Sequence, residues 1–460
     1  MLVGNSSVAQ YSRSAARTAT GSSCHGPLDP KIGLNVDQCG AYGDNDIHDD
    51  TAAFNAALAA SRHIVCSPNK TYAIREIILV ANPNTTLDLA GCILKLAEKP
   101  STKHFLSITV DNTTVNDLHL MGLGNGISIT GGATNTVINR YNCDSALTPG
   151  LSECIYLGAA NKVLVDQFRM TGTGYGVLQE TGRTVHDVKI SRAVAGDMRG
   201  DFFEQNGTET GPMSNVTLDQ ITFNGCHGFP TPQTECRFVG TTSVQGLTIS
   251  NSRAHNVAGD ACLHFEGPST HIQMSNTVLI DCQVSGGNDG YIYFSSGSAD
   301  FRSIHNTFVK TAKLPGSSFA FSTESGSYSN PITSIDDTFI DENATHSFGG
   351  FNLGFHNGPV TIINPTARDI GTFISLVSTT GVSWSGGRII NATNGILAEN
   401  ITEPSGGGGV NISVKDAHID CLTWCIRSGP NTNGTGPPTN WSLTGNVYTG
   451  SGRVLLDNRQ

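Results

Sequence analysis

The chain has 460 residues, with 27 Lys and Arg against 38 Asp and Glu, giving a formal net charge of −11. That balance argues against a nucleic-acid or anionic-membrane partner, and no apolar run is long enough to span a bilayer. With 38% hydrophobic residues, 14% charged residues and 53 glycines, the composition agrees with a Gly-rich β protein rather than with disorder. Length alone would suggest two or three domains, but a solenoid core grows by adding coils, so one long domain is permitted.

Residues 1–36 are polar and small, with Arg13 and Arg17 and no acidic residue before Asp29. They contain no apolar h-region, so they do not read as an intact secretory signal. They read as a mature or pro-segment start; a mitochondrial-like presequence is the alternative, and the cysteines and sequons downstream favour the first.

Residues 37–70 read as an N-terminal cap. Asp49 or Asp50 can cap a helix whose Phe54, Ala57 and Leu58 share one face at i, i+3, i+4 spacing. A solenoid needs its open end covered, and this amphipathic helix would cover it. The run Gly40-Ala41-Tyr42-Gly43-Asp44, followed by Asp49-Asp50-Thr51-Ala52-Ala53-Phe54, resembles the opening of pectate-lyase-like right-handed β-helix proteins. That superfamily includes polygalacturonases, rhamnogalacturonases, alginate epimerases and phage tailspike depolymerases. Residues 64–74, with Pro68 and Tyr72, are similar to the strand and Pro-x-x-x-Tyr turn that follow in those proteins. The resemblance implies fold and says little of substrate, because the motif's aspartates have a structural job.

From residue 71 to 460 one unit recurs, seen most plainly between Ser214 and Glu266. Val216 and Leu218 alternate with polar residues, Ile221 and Phe223 follow, and the pattern returns at Leu247 and Ile249 after an Asn/Gly turn. Units beginning TVNDLHL at residue 114 and ending with NWSLTGNVY at residue 440 start about 22 to 31 residues apart, the spacing of a solenoid. No unit could bury its apolar face alone, so the units must stack. The strands are too short, with too little helical periodicity between them, for a βαβ fold. The expected fold is all-β: a single-domain right-handed parallel β-helix of roughly thirteen coils.

Twelve cysteines fall in a suggestive pattern. Cys143 with Cys154, Cys226 with Cys236 and Cys421 with Cys425 bracket loops, Cys262 with Cys282 would link neighbouring coils, and Cys24, Cys39, Cys66 and Cys92 surround the cap. Spacing does not prove connectivity, and buried free thiols are the alternative. Twelve N-x-S/T sequons, among them Asn84, Asn112, Asn215, Asn391, Asn411 and Asn440, join the cysteines in favouring a secreted eukaryotic protein. Asn and Thr also form turn ladders, so several sequons are expected by chance.

Five segments align as the strand that follows a corner loop: ECIYLG from Glu153, DFFEQNG from Asp201, ECRFVG from Glu235, DACLHFEG from Asp260 and DGYIYFSSG from Asp289. Each is entered by a carboxylate. With strands ~4.8 Å apart, Asp201, Glu235, Asp260 and Asp289 are expected to form a column on one face, where repulsion would raise some pKa values. One reading has these residues merely terminating turns, helped by a bound Ca2+; no other cofactor is expected. The other is a glycosidase site, where adjacent coils place carboxyls ~5 Å apart and alternate coils ~10 Å, spanning retaining and inverting geometries.

Gly259-Asp260-Ala261-Cys262-Leu263 is similar to the Gly/Gln-Asp-Asp-Cys-Ile/Val segment of polygalacturonases, with Asp260 on the first aspartate and Ala261 replacing the second. That resemblance implies inverting hydrolysis. Glu235 stands where the family's Asn-x-Asp partner is expected, and no Arg-Ile-Lys motif follows.

Alternation places Cys262, His264 and Glu266 outward with Asp260, Tyr291 and Tyr293 outward with Asp289, and Arg237 outward with Glu235. Arg237 could neutralise a uronate, His264 and Tyr293 could act as base and acid in β-elimination, and Tyr291 and Tyr293 could stack on sugars. His227 reads as a solvated loop residue, Asp336 and Asp337 as structural, and no Cys/His cluster has zinc spacing. The expectation is therefore a secreted, monomeric glycoside hydrolase acting on an acidic polysaccharide. Asp201, Glu235, Asp260, Asp289 and His264 are its catalytic candidates, and Arg237, Tyr291, Tyr293 and Glu266 would bind substrate. A uronate lyase and a non-catalytic carbohydrate-binding or tailspike-like protein are the alternatives.

Overall fold

The computed structural model describes residues 24–25, 32–45, 47–96, 104–122, 124–144, 153–172, 174–179, 182–206, 212–228, 236–282, 290–295, 300–311, 318–323, 331–354, 358–377, 379–398, 410–428 and 440–456. Its strands form a parallel β-solenoid of three ladders. The first ladder runs from Leu34–Asn35 to Trp441–Thr444, the second from Thr71–Ile74 to Val447–Gly450, and the third from Ile78–Val80 to Arg453–Leu456. All thirteen sequence units stand as successive rungs of the first ladder. Leu34–Asn35, His63–Val65 and Thr86–Asp88 precede them, at two or three residues each.

Register explains why the units stack. Val188, Val216, Leu247 and Ile272 lie in one column, and Ile190, Leu218, Ile249 and Met274 in the next. All are inward and essentially inaccessible, and each buried side chain contributes roughly 1.5–3 kcal/mol relative to exposure. Between these columns Lys189, Thr217, Thr248 and Gln273 form a polar outer column. Aromatic side chains also stack along the axis, as in Phe308 over Phe339 and Phe321 over Phe351, with ring centroids 5.2 and 4.7 Å apart.

The turn between the first two ladders needs one residue in the left-handed region per coil. Arg192 (φ 53°), Gln220 (56°), Asn251 (49°) and Asn276 (49°) occupy it in succession. At the head of the first ladder Asn84, Asn112 and Asn135 do the same, with the amide nitrogens of Asn112 and Asn135 donating to the side-chain oxygen of the coil before at 3.0 and 2.9 Å. The sequon residues Asn112, Asn215, Asn391 and Asn440 all spend their amide nitrogen in such ladders.

The predicted helix covers the open end as Thr51–Ala60, with Phe54, Ala57 and Leu58 buried. Asp50 stands at its start but makes no capping bond. Its carboxylate instead accepts the backbone N–H groups of Tyr42 (2.6 Å), Gly43 (3.3 Å) and Ala73 (3.1 Å), fastening the cap loop to the first coils. All four predicted cysteine pairs form, and the cap cysteines join as Cys24–Cys39 and Cys66–Cys92. Asp337 is structural as expected: it is buried and accepts from the Asn306 amide N–H and the Ser334 hydroxyl.

Candidate active site

The third ladder carries the charged cluster. Its rungs Phe203–Gln205, Val239–Thr241, Leu263–Phe265 and Gly290–Phe294 pair with Phe203, Val239, Leu263 and Ile292 in one column and Glu204, Gly240, His264 and Tyr293 in the next. The first column points into the core and the second outward. One position before the inward column stand Phe202, Phe238, Cys262 and Tyr291, which are also fully buried. Two successive residues thus turn inward, because the corner preceding each rung resets the alternation.

That reset corrects two expectations. Tyr291 is 0% exposed, and its hydroxyl donates to the Val309 carbonyl at 2.8 Å, so it is a core residue and not a sugar platform. Cys262 is likewise inward, joined to Cys282. Tyr293 faces outward beside His264, with ring centroids 4.9 Å apart.

The four-carboxylate column also changes. Counted back from the paired residues, Asp201 lies level with Arg237 and Ala261, so Asp201 has a cation and not another carboxylate on the next rung. Glu235 and Asp289 lie outside the described residues. Arg237 organises what remains. Its backbone N–H donates to Asp201 Oδ1 at 2.6 Å, its Nε and Nη2 grip Asp260 bidentately at 2.7 and 3.1 Å, and its Nη1 lies 3.6 Å from Asp201 Oδ2 and 3.5 Å from Glu266 Oε1. His264 Nδ1 stands 3.0 Å from Asp260 Oδ2 and 3.3 Å from Glu266 Oε1, while its Nε2 meets Ser295 Oγ at 3.0 Å. The sequence-predicted Asp201, Arg237, Asp260, His264 and Glu266 therefore form one cluster.

Glu204 is the functional candidate the sequence reading passed over. It lies in the strand itself, one rung from Gly240, and an added Cβ at Gly240 would collide with Glu204 Oε2 and stand 2.6 Å from Asp201 Oδ2. The glycine leaves space for two carboxyl groups to meet. Burial, and then the adjacent Asp201 charge, push the Glu204 pKa well above the usual carboxylate range. Burial raises Asp201 as well, against the pull of Glu204 and Arg237. The pair thus holds a proton at neutral pH, as closely placed carboxylates do. Asp260 behaves oppositely: burial works to raise it, but the bonds from His264 and Arg237 outweigh burial and hold it ionised far below the ordinary range. Chemically, the site offers a neutral, half-buried acid beside an ionised carboxylate, Asp260, whose position one guanidinium fixes.

On the same face, two rungs before Glu204, Glu153 is buried and pairs with His104 Nε2 at 2.7 Å. His227 is exposed and pairs with Asp197 at 3.0 Å. Among the described residues no group of three or more His, Cys, Asp or Glu is arranged to hold a metal ion, and no helix is long and apolar enough to cross a membrane.

No protein-family profile matches the chain, and no curated protein matches it by sequence. Solved structures do resemble it. The ORF18 protein of Geobacillus virus E2 is 12% identical, with a TM-score of 0.50 over 68% of this chain and 62% of that one, so this chain spans less than two thirds of that protein's length. A tailspike mutant of the E. coli bacteriophage HK620, solved with a pentasaccharide, is 9% identical, with a TM-score of 0.50 over 92% of this chain and 80% of that one. The catalytic unit of a GH87 α-1,3-glucanase from Streptomyces thermodiastaticus is 16% identical, at 93% and 69% coverage and a TM-score of 0.45. At these identities the likeness is one of fold, the parallel β-helix.

Proposed function

We propose that the protein is an extracellular glycoside hydrolase, cleaving a polysaccharide laid along the third ladder. What carries this reading is the close pairing of Glu204 with Asp201, in which burial and the neighbouring carboxyl raise both, beside Asp260, which Arg237 and His264 keep ionised. Glycoside hydrolysis needs one neutral and one ionised carboxyl flanking the scissile bond. Glu204 protonates the glycosidic oxygen as the bond to the anomeric carbon breaks. Glu266, half-exposed and within 3.3 Å of His264 Nδ1, takes a proton from the attacking water. Its rung lies two beyond that of Glu204, ~10 Å by strand spacing, which suits inversion over retention. Asp260, with both oxygens held by Arg237, orients the guanidinium rather than exchanging protons.

Arg237 already serves three carboxylates, so it has no face to spare for a uronate, and the surrounding acids would repel one. This favours hydrolysis over uronate elimination and a neutral sugar at the point of cleavage. The pentasaccharide held by the tailspike of similar fold fits an extended glycan as ligand. Six disulfides fit an oxidising compartment. The test is a screen of neutral and acidic plant, algal and microbial polysaccharides, reading reducing ends and the absorbance of unsaturated uronates together. New reducing ends without absorbance are expected; both signals rising together would replace hydrolysis by elimination.

A further inference from the structure

Four rungs beyond Glu204, ~19 Å along the axis, the same ladder opens a cleft of about 140 Å³. Its floor is made by glycine. Gly349 pairs with Phe319, and an added Cβ there would run into the Phe319 ring. The ring therefore lies flat against the backbone of the next coil and stays half-exposed. Ser318, His346, Thr372 and Asn394 line the cleft with it, and no Asp, Glu, Lys or Arg is among its described lining residues. Two of these groups are buried without a hydrogen-bond partner: Ser318 Oγ and Asn394 Oδ1. Asn394 uses only its Nδ2, on Thr372 Oγ1 at 3.1 Å. Unpaired buried polar atoms are costly, and a hydroxyl brought into the cleft would supply the missing partner.

We infer that this cleft is a second, non-catalytic glycan-binding site, which takes a neutral pyranose on the Phe319 ring with its hydroxyls on Asn394 and Ser318. An aromatic face beside hydroxyl and amide groups matches a sugar's apolar C–H face and equatorial hydroxyls, and no Lys or Arg among the described lining residues is placed to grip a uronate or sulfate. The site lies too far from Glu204 to touch the scissile bond, and binding here does not depend on cleavage there.

The experiment is native electrophoresis through gels containing starch, hydroxyethyl cellulose or galactomannan, using the Glu204→Gln protein so that no gel polymer is digested. Retardation in at least one gel is expected, and Phe319→Leu in the same background should weaken it about fivefold, the worth of an aromatic contact. Leucine keeps apolar volume, so folding is preserved; Asn394→Ala, at the opposite side of the cleft, should weaken retardation as well. Equal retardation of all three proteins, or none in any gel, would overturn the inference. Turnover of short soluble oligosaccharides by Phe319→Leu in the Glu204 protein separates the two sites: it should equal that of the unmodified chain. Absence of turnover by the unmodified chain, with Phe319→Leu still weakening retardation in the Glu204→Gln background, would count against the hydrolase and leave the second site standing.

Discussion

Rungs 203–205 to 290–294 and rungs 318–323 to 388–398 belong to one ladder with one backbone geometry, yet they present different chemistry. The earlier group gathers Asp201, Glu204, Arg237, Asp260, His264 and Glu266 within a few ångströms. The later group lines its cleft with Phe319, Ser318, His346, Thr372 and Asn394, with no Asp, Glu, Lys or Arg among the described lining residues. In both, a glycine on the neighbouring rung makes the arrangement possible, Gly240 under two carboxyl groups and Gly349 under an aromatic ring. A solenoid therefore varies function along its axis by changing outward residues one coil at a time, and a missing Cβ decides what fits above it.

The largest expected effect is confined to the earlier group. Glu204→Gln should lower kcat by ~10²- to 10⁴-fold, the usual worth of a general acid, with the melting temperature kept; a fall in melting temperature matching the lost activity would make Glu204 structural. Next, Arg237→Met strands Asp260 and Asp201 without their cation. We expect a loss of about 2–3 kcal/mol in denaturant unfolding, below the full cost of breaking a buried pair because Asp260 remains 31% exposed. A smaller effect is expected from Gly240→Ala, which presses on the Asp201–Glu204 pair: activity should fall about tenfold, by displacing the acid about 1 Å or less, with little change in binding to the second site. Loss of polymer retardation in this variant would mean that the two regions are not independent.

The pH dependence sharpens the contrast. Because Glu204 is raised in the folded state, that state binds the extra proton, and the group's stabilising contribution is present below its unfolded pKa and lost as pH rises through neutrality toward the folded value. Asp260 is depressed, so its contribution is present above its unfolded pKa and lost as pH falls below the ordinary aspartate range. Melting curves of Glu204→Gln should therefore lose part of the alkaline decline and keep the acid one; an unchanged alkaline limb would contradict the shared proton. Smallest of all, Asn112→Ala in the turn ladder should cost ~1 kcal/mol and leave both sites unaltered.

The fold was legible because thirteen units repeat with plain alternation, as in Val216 and Leu218; of the three rungs before them only His63–Val65 was read as a strand, from the resemblance at residues 64–74. Asp201, Arg237, Asp260, His264 and Glu266 were legible because a corner loop precedes each of their strands. Tyr291 was misplaced because the corner resets the alternation, which depends on backbone path and not on residue type. Glu204 was missed because its role arises across the ladder, from Gly240 one rung away and Asp201 beside it. A carboxylate aligned with a glycine and then a histidine was the available signal, and it needs the register Glu204–Gly240–His264 to be seen.

The central claim is that Glu204 and Asp201 share a proton at neutral pH. The infrared difference spectrum of the unmodified protein minus Glu204→Gln, recorded at neutral pH, tests it most directly. A protonated-carboxyl band present in the first and lost in the second is the predicted result. A difference confined to ionised carboxylate bands would contradict the account and remove the acid from the proposed hydrolase.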